Sequence, residues 1–372
     1  MRVALLLSGG VDSSVALHLL KRERGLELHA FYLKIWLEDE LAFLGECPWE
    51  DDLHYARAVC ANAGVPLEVV PMQQTYHRRV VADAIAELEA GHTPSPDVWC
   101  NERIKFGAFL DHLDEHFQAR FDRIASGHYA RRVEVEHGFE LHKGRDPVKD
   151  QTYFLYRLDQ RQLGRCWFPL GDLTKPEVRA LAHELELPNR DRRDSQGICF
   201  LGRIRYADFV RGYLGERPGE VRETGTGRKL GEHRGHWFYT IGQRQGLGLG
   251  GGPWFVVAKE PQANRVWVAH RETEIGGRDR FWVPAPCWIG PPPANDRLEV
   301  KLRHSPTTLP CRLVELADGG LEVTLASEDP GIAPGQSAVF YDGSRCLGGG
   351  LLARPLDNPN PPGDFLPVGR EK

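Results

Sequence analysis

The stretch "LLLSGGVDSSV", residues 5–15, decides the fold of the first half of the chain. The apolar run Val3–Leu7 leads into it and the helix-patterned stretch Ser14–Arg24 follows, so its glycines and serines lie between a strand and a helix. Backbone N–H groups at such a turn, together with the helix N-terminus, favour an anion. The Gly-Lys-Ser/Thr tripeptide of a Walker loop occurs nowhere in the chain, so this loop has no lysine of its own to contact the transferred phosphate. The pattern favours a loop that holds the pyrophosphate released when ATP donates AMP; an ordinary glycine-containing turn is the alternative.

Apolar runs and helix-patterned stretches alternate through the rest of the first half. They are Leu28–Ile35, Asp52–Ala63, Leu67–Val70, Arg78–Leu88, Ile104–Phe117 and Arg123–Ser126. Alternating strands and helices predict a parallel sheet covered by helices on both faces. A capping box from Thr174 to Glu177, with proline in the first turn, predicts a helix that runs through Glu184.

The second half of the chain has a different pattern. After about Ile204 glycine and arginine become frequent, and over residues 281–352 short apolar or alternating runs are separated by Asp-Gly and Gly-Gly turns. This part predicts a small barrel or sandwich, and the Pro-rich polar tail after Arg354 predicts disorder. The glycines of "GLGLGG", residues 246–251, fit G-x-G-x-x-G, but a strand follows them where a dinucleotide site needs a helix, which excludes that site.

Length, charge and cysteine content limit the classes of protein that the chain can belong to. Its 372 residues indicate two or three domains, and the lack of a basic, apolar leader or of an apolar stretch of ~20 residues predicts a cytoplasmic protein. Eight scattered cysteines without a C-x-x-C pair exclude a zinc ribbon and a secreted disulfide scaffold. The net charge of −5 speaks against a general nucleic-acid binder. Between Arg203 and Arg244, however, nine Lys/Arg meet five Asp/Glu, which is either a local footprint for a polyanion or an ordinary solvated surface.

A first candidate nucleophile, Cys100, lies in "TPSPDVWCNERIKF", residues 93–106. Apolar residues at i, i+3, i+4 and i+7 from Phe106 predict a helix that begins just after Cys100. A thiol at a helix N-terminus has a lowered pKa and is more nucleophilic at neutral pH. Asp97, three residues earlier, is close enough to accept a proton or to orient a substrate N–H. Taken alone, the cysteine fits a buried core position better than a catalytic one, because free cysteines are often buried.

A second thiol, Cys199, strengthens the catalytic interpretation. It follows the polar, glycine-containing turn of "DSQGICFLG", a setting suited to an accessible thiol rather than a core one. Two candidate reactive cysteines and an adenylating loop together suggest sulfur transfer, in which AMP activates a C=O group and persulfide sulfur replaces the oxygen.

With these motifs in place, the chain resembles the bacterial tRNA-specific 2-thiouridylase (tRNA-uridine 2-sulfurtransferase) family over nearly its whole length. The loop SGGVDSS resembles the PP-loop of the N-type ATP pyrophosphatases. The other shared stretches are TPSPDVWCNERIKF, ASGHYAR (125–131), KDQTYFL (149–155), FPLGDLTKPEVR (168–179), DSQGICFLG (194–202), YTIGQRQGLG (239–248) and APGQSAVFYDG (333–343). The resemblance implies an α/β fold: a parallel-sheet PP-loop domain of the adenine nucleotide alpha hydrolase type at 1–204, a small central α+β tRNA-binding domain at 205–276, a C-terminal β-barrel at 277–356 and a disordered tail at 357–372.

The resemblance also implies an activity and its partners. The expected reaction is ATP-dependent 2-thiolation of the wobble uridine, position 34, of tRNA, giving 2-thiouridine, AMP and pyrophosphate. The expected cofactors are ATP and Mg²⁺, with persulfide sulfur supplied by a donor protein, either a cysteine desulfurase or a relay protein. The expected substrates are tRNAs of the Lys, Glu and Gln type, and no membrane is expected to take part.

Carried over position by position, the family's site residues fall into three groups. The expected catalytic residues are Cys100 as nucleophile, Cys199 as persulfide carrier and Asp97, with a Cys100–Cys199 disulfide left after turnover. ATP is expected to contact Leu7, Ser8, Gly9, Gly10, Val11, Asp12, Ser13, Leu33 and Gly127, and Asp12 is expected to help place Mg²⁺. The target base or tRNA is expected to contact Ser95, Pro96, Asp97, His128, Lys149, Asp150, Gln151, Arg303, His304 and Gln336. Two positions depart from the family, which commonly has Met at Leu33 and Asn at Ser95.

Other interpretations stay open at the level of sequence. His128 also fits a satisfied core histidine, Lys149–Asp150 a surface ion pair, and Gln336 a turn residue. A different PP-loop enzyme, such as an amidotransferase or ligase acting on a small carboxylate, would need neither paired thiols nor a β domain for RNA. A non-enzymatic RNA-binding module with a residual nucleotide pocket is the third possibility.

Overall fold

The computed structural model describes residues 1–35, 49–118, 120–193, 205–270 and 278–353. The α-helices of this part are α1 (Val11–Arg22), α2 (Trp49–Ala63), α3 (Gln73–Tyr76), α4 (Ala82–Glu89), α5 (Pro96–Trp99), α6 (Phe109–His116), α7 (Gln160–Arg165), α8 (Lys175–Glu184) and α9 (Tyr206–Leu214). Its strands are β1 (Arg2–Leu6), β2 (Glu27–Lys34), β3 (Leu67–Pro71), β4 (Arg123–Ala125), β5 (Ala130–Val135), β6 (Gly138–Lys143), β7 (Cys166–Trp167), β8 (Gly219–Glu223), β9 (Lys229–His233), β10 (Trp254–Glu260), β11 (Arg265–His270), β12 (Arg278–Val283), β13 (Cys287–Trp288), β14 (Arg297–Lys301), β15 (Leu309–Glu315), β16 (Leu321–Asp329), β17 (Ser337–Asp342) and β18 (Arg345–Leu351). In these described parts every helix is too short or too polar to span a lipid bilayer.

The first sheet is parallel, with the strand order β3-β2-β1-β4-β7. Successive residues of β1 point to opposite faces: Val3 and Leu5 pack in one apolar cluster with α1 and α2, while Ala4 and Leu6 pack in another. The prediction of a sheet covered on both faces is confirmed. From β1 the chain first adds β2 and β3 on one side and later adds β4 and β7 on the other side. The strand order therefore reverses between β1 and β4, and this is the topological switch point of the sheet. Ligands of open parallel sheets bind at the carboxyl ends of the strands at such a point.

The helix that carries Cys100 begins earlier than the sequence analysis predicts. It starts with α5 at Pro96, continues as a π-helical segment, Cys100–Ala108, and ends with α6. Proline suits the first helical position because its fixed φ matches the helix and its missing N–H needs no partner there. The apolar spacing from Phe106 marked the buried face of the helix correctly but not its start.

The second sheet, with the order β10-β11-β8-β9, encloses a small apolar core around Val221, Val256 and Val266. Strand β10 begins at Trp254, directly after the glycine-rich stretch 246–251. A strand therefore follows those glycines, which confirms the exclusion of a dinucleotide site there.

The third sheet contains the C-terminal strands in the order β12-β16-β15-β14-β17-β18, and the Ala353 N–H donates to the carbonyl of Trp282 on β12 at 3.1 Å. The hairpin β5–β6 extends the same sheet, because β6 pairs antiparallel with β18. Residues 130–143 thus join the sheet of the C-terminal part although their pairing partners on β18, Arg345 and Cys346, lie some two hundred positions later in the chain. The sequence pattern of a hairpin does not state which sheet it joins, so this connection was not foreseen.

Candidate active site

The glycine-serine loop that opened the sequence analysis lies at the carboxyl end of β1. Gly9 has φ +75°, and a Cβ there would lie 2.1 Å from the carbonyl oxygen of Asp52 on α2. A Cβ on Gly127, which follows β4, would lie 2.8 Å from the backbone nitrogen of Ser13. Glycine is needed at both positions because backbone meets backbone there. The two segments predicted to contact ATP therefore meet at the switch point of the sheet.

Asp12, in the first turn of α1, accepts two hydrogen bonds on one carboxylate oxygen. Tyr129 Oη donates to Asp12 Oδ1 at 2.9 Å, and Lys175 Nζ lies 2.6 Å from the same oxygen. Lys175 is the first residue of α8, and the Lys175 side chain is only 12% exposed. The predicted capping box of Thr174 and Glu177 is confirmed. The sequence places Lys175 in the helix cap and gives no local sign of its contact with the loop. The one available signal is that Lys175 lies in 168–179, a stretch shared with the family.

Two further side chains hold the other side of the loop. Asn189 Nδ2 donates to the Gly9 carbonyl at 2.8 Å and to Ser14 Oγ at 2.9 Å. Arg192 Nη1 donates to the same carbonyl at 3.1 Å, and its guanidinium also pairs with Asp52. Neither residue was foreseen, because both come from a stretch without a recognisable motif. They fix the loop against α2 by donating to its oxygen atoms, so neither side chain occupies an N–H group of the loop.

The chemistry of Asp12 fits a role beside Mg²⁺. This ion is usually held by one or two carboxylates together with substrate phosphates, and the Asp12 side chain is one-third exposed. Within the ranges that the structure describes, no three His, Cys, Asp or Glu side chains cluster as a metal site.

Asp97 and Cys100 lie on one helix, one turn apart. The Cys100 N–H bonds to the carbonyls of Pro96 and Asp97, and the Cys100 side chain is buried in an apolar cluster that the first domain shares with the third sheet. Because the helix begins at Pro96, Cys100 lies in its second turn, and the expectation of a thiol at the very N-terminus is wrong. The helix dipole acts within the first turn, so it does not account for a reactive thiol at this position. Cys199 lies outside the described residues, so the contact of the two thiols stays a prediction.

His128 connects the Cys100 helix to the loop. Its ring lies 6.0 Å from the ring of Phe106 in the π-helical segment, and its Nδ1 is 2.8 Å from Ser126 Oγ. Burial, and secondly the positive charge of Lys105, lower the pKa of His128 well below its usual value. His128 is therefore neutral at neutral pH, and it lies between the nucleotide loop and the helix of Cys100.

The stretch 149–155 packs against the same helix. Asn101 Nδ2 donates to the carbonyl of Phe154 at 3.0 Å. Gln151 pairs with Tyr129 twice: its side-chain oxygen accepts from the Tyr129 N–H, and its own N–H donates to the Tyr129 carbonyl, both at 3.0 Å. Gln151 thus fixes this stretch beside His128.

Asp150, expected at the tRNA, has its carboxylate inside the protein. It forms a 2.8 Å ion pair with Lys301 of β14, and both side chains are 2% exposed. The Thr152 hydroxyl donates to the same carboxylate at 2.9 Å, and His304 Nε2 is 3.0 Å from the Asp150 carbonyl. The sequence suggested a surface pair of Asp150 with Lys149, whereas in the structure Asp150 has a buried partner, Lys301. Asp150 and His304 thereby join the stretch 149–155 to the third sheet.

The remaining predicted contacts lie where the third sheet meets the first domain. Tyr153 Oη donates to the carbonyl of Ser337 at 3.2 Å, and its side chain also bonds to Ser95. Gln336 is adjacent to Ser337, so the structure brings it close to Ser95 and Pro96. Arg303 lies apart, half-exposed and bound to Asp329 by two hydrogen bonds of 3.0 and 2.7 Å.

Most of the basic side chains counted between Arg203 and Arg244 form ion pairs in the structure. The pairs in this segment include Arg205–Asp208, Arg211–Glu216, Arg222–Glu220, Arg228–Glu223, Lys229–Glu232 and Arg234–Glu216. These pairs engage the five acidic residues already counted, so the excess of basic over acidic residues is unchanged and both interpretations of the segment stay open.

Comparison with known proteins matches almost the whole chain. The families described as "tRNA methyl transferase HUP domain", "tRNA methyl transferase PRC-barrel domain" and "Aminomethyltransferase beta-barrel domain" match residues 1–203, 207–270 and 278–352. The tRNA-specific 2-thiouridylase MnmA 1 of Bacteroides thetaiotaomicron is 43% identical, over 95% of this chain and 100% of that protein. The tRNA-specific 2-thiouridylase MnmA of Verminephrobacter eiseniae is also 43% identical, over 95% of this chain and 98% of that protein. These matches confirm the predicted fold class.

Proposed function

The chain belongs to the tRNA-specific 2-thiouridylase family, and we propose that it adenylates O2 of the wobble uridine of tRNA and replaces that oxygen with persulfide sulfur. It is a tRNA-uridine 2-sulfurtransferase that uses ATP. The observation that carries the finer proposal is the meeting of three segments at one switch point. The anion-binding loop after β1, the turn 126–128 after β4 and the helix of Asp97 and Cys100 converge there.

The first step is transfer of AMP to the base. Uridine O2 attacks the α-phosphorus of ATP, the bond to the bridging oxygen breaks, and pyrophosphate leaves. The N–H groups of the 8–14 loop hold the departing pyrophosphate, and Asp97 accepts the N3 proton of the base as O2 becomes the nucleophile. Mg²⁺ beside Asp12, when bound, neutralises phosphate charge. The target uridine has to leave the anticodon stack to reach the loop, as in other base-modifying enzymes.

The second step exchanges oxygen for sulfur. The terminal sulfur of the Cys199 persulfide attacks C2 and AMP leaves; the Cys100 thiolate then attacks the Cys199 sulfur, which frees 2-thiouridine and forms a Cys100–Cys199 disulfide. In the second route Cys100 attacks the persulfide first, and the sulfide released attacks C2. Both routes leave the same disulfide, which a two-electron reductant reopens before the next turnover. A donor protein, a cysteine desulfurase or a relay protein, reloads Cys199.

Methyl transfer is the competing function, because the matching family descriptions name it. It would require a methyl donor and no cleavage of ATP. The close approach of the turn 126–128 to the glycine-serine loop, and its ring contact with the helix of Cys100, support ATP-dependent sulfur transfer, as do the names of the full-length relatives.

Nucleoside mass spectrometry tests the function directly. Purified protein is incubated with unmodified tRNA of the Lys, Glu or Gln type, ATP, Mg²⁺ and a persulfide donor, and the digested nucleosides are analysed together with AMP and pyrophosphate. We expect 2-thiouridine at position 34 with equal amounts of AMP and pyrophosphate. Methylated uridine without ATP cleavage, or AMP release that is independent of tRNA, would contradict the proposal.

A further inference from the structure

The loop at residues 8–14 lacks a lysine of its own, although it is expected to hold a polyphosphate with several negative charges. In the structure a lysine reaches the loop from α8, because Lys175 Nζ lies 2.6 Å from Asp12 Oδ1. Lys175 and the loop are separated by more than 160 positions in the chain, so no local motif reveals the contact.

We infer that Lys175 binds the β- and γ-phosphates of ATP and thus supplies the cation that the loop lacks. The inference rests on the proposed function, because it assigns a residue to the departing pyrophosphate. An ammonium on a flexible stem can exchange the Asp12 carboxylate for a phosphate oxygen without any movement of the backbone. Asp12 keeps the hydroxyl of Tyr129 as a donor at 2.9 Å when this happens, and it becomes available to a metal ion.

The other cations near the loop are less suited to the task. Arg192 is engaged by the Gly9 carbonyl and by Asp52, so its movement would release the loop itself. Arg145 pairs with Glu177 at 3.1 Å and donates to the Asp172 carbonyl, on the outer side of the α8 N-terminus. Lys175 contacts the loop through a side chain and not through a backbone carbonyl, so unlike Arg192 it can turn to a phosphate without releasing the loop backbone.

The backbone of Lys175 is held in place independently of its side chain. Buried Asp146 accepts the Lys175 N–H on Oδ2 at 2.8 Å, and it accepts the N–H groups of Val148 and Lys149 on Oδ1 at 2.9 and 3.1 Å. Thr174 and Glu177 cap the helix, and Pro176 follows in the first turn. Substitution of the Lys175 side chain therefore leaves the main-chain contacts of α8 intact, which makes the variant a clean test.

The test compares equilibrium binding of inorganic pyrophosphate, ATP and AMP by calorimetry to the wild-type protein, Lys175→Met and Lys175→Arg. Lys21→Met serves as the control, because Lys21 lies in the last turn of α1 and bonds to the Ala63 carbonyl, away from the loop. We expect Lys175→Met to weaken pyrophosphate and ATP binding at least about tenfold, the loss expected for one charge-assisted contact. AMP affinity should stay unchanged, and Lys175→Arg should recover part of the loss.

Two results would overturn the inference while the proposed function stands. Lys175→Met could bind pyrophosphate as the wild type does, or it could lose AMP, ATP and pyrophosphate equally, which is the signature of a structural role. Thermal unfolding of each variant shows whether an equal loss of all three ligands comes from a protein that is no longer folded. If the wild-type protein itself formed no AMP and no pyrophosphate with tRNA, both the inference and the proposed function would fail.

Discussion

At the scale of single residues, His128 and Lys149 are both expected at the tRNA, but they differ in charge. His128 is neutral at neutral pH because burial and Lys105 lower its pKa. Lys149 carries a charge, and its N–H is fixed to Asp146 at 3.1 Å. A neutral side chain that bonds to tRNA releases no counterions from its phosphates, whereas a lysine that pairs with a phosphate does release them.

The first prediction therefore separates the two side chains by salt dependence. Lys149→Ala should weaken tRNA binding and reduce the slope of log K against log salt by roughly 0.9, the value for one phosphate contact. His128→Gln should weaken binding with an unchanged slope. Filter binding or fluorescence anisotropy at several salt concentrations measures both, and ATP binding by Lys149→Ala serves as the control. An unchanged slope for Lys149→Ala, or a reduced one for His128→Gln, would show the assignment to be wrong.

At the scale of elements, the site depends on how closely the turn after β4 approaches α1. A Cβ on Gly127 would lie 2.8 Å from the Ser13 nitrogen and 3.0 Å from the Asp12 carbonyl carbon, both of them backbone atoms. Neither atom can give way without displacement of the α1 N-terminus from the loop. The proposed anion site therefore depends on the match of these two segments rather than on either one alone.

The second prediction follows from that contact. Gly127→Ala should destabilise the protein by about 1–3 kcal/mol, as overpacking does, and should weaken ATP binding. Gly290→Ala is the matched control, because a Cβ at Gly290 meets open space and its backbone is not in the left-handed region. ATP binding and thermal unfolding are measured for both variants. Equal behaviour of the two variants would mean that the approach of Gly127 to α1 does not matter.

The elements also show what a sequence pattern can and cannot predict. The loop between β1 and α1 and the cap of α8 were predictable, because their signals are local: glycine and serine after an apolar run, and Thr-x-x-Glu with proline. The start of the Cys100 helix was misjudged because apolar periodicity reports burial, whereas Pro96 sets the first turn. The contacts of Lys175 and Lys301 were missed because each joins residues more than 150 positions apart, and no spacing rule covers such distances.

At the scale of the whole molecule, the buried pair Asp150–Lys301 joins the catalytic part to the third sheet. Removal of one partner leaves a buried charge unpaired, which typically costs 3–5 kcal/mol, about ten times the value of an exposed pair. The pair is therefore a point where the two halves of the molecule are held together.

The third prediction is that Lys301→Met lowers the free energy of unfolding by about 3–5 kcal/mol. Lys301→Met combined with Asp150→Asn should recover much of the lost stability, because the double variant has no unpaired charge in the protein interior. Arg312→Ala removes an exposed pair with Asp296 and should change stability by at most about 1 kcal/mol. Chemical denaturation of the four proteins gives the comparison, and a Lys301→Met variant as stable as Arg312→Ala would refute the role of the buried pair.

The fourth prediction concerns pH. Burial lowers the pKa of His18, His29, His112, His128 and His233 from the usual value of 6.5. The unfolded chain binds these protons below about pH 6.5 and the folded chain does not, so the stability is complete above pH 6.5 and is lost as the pH falls below it. The midpoint of thermal unfolding should drop between pH 7.5 and pH 5.5, and less so for His128→Gln. A midpoint that is constant or higher at pH 5.5 would contradict this account.

The central claim is that activation of the base and delivery of sulfur are carried out by different residues of one molecule. In the proposed mechanism the loop with Asp12 acts in the first step together with Asp97, and Cys199 acts only in the second. The claim can be tested by comparing a single turnover of the wild-type protein with one of Cys199→Ser, each with tRNA, ATP and a persulfide donor.

The decisive measurement is the amount of pyrophosphate and of 2-thiouridine formed by each protein. The wild-type protein should form both in equal amounts and should end, without reductant, with the peptides of Cys100 and Cys199 linked. Cys199→Ser should release pyrophosphate but form no 2-thiouridine. Continued formation of 2-thiouridine by Cys199→Ser, or its formation by the wild-type protein without pyrophosphate, would contradict the account.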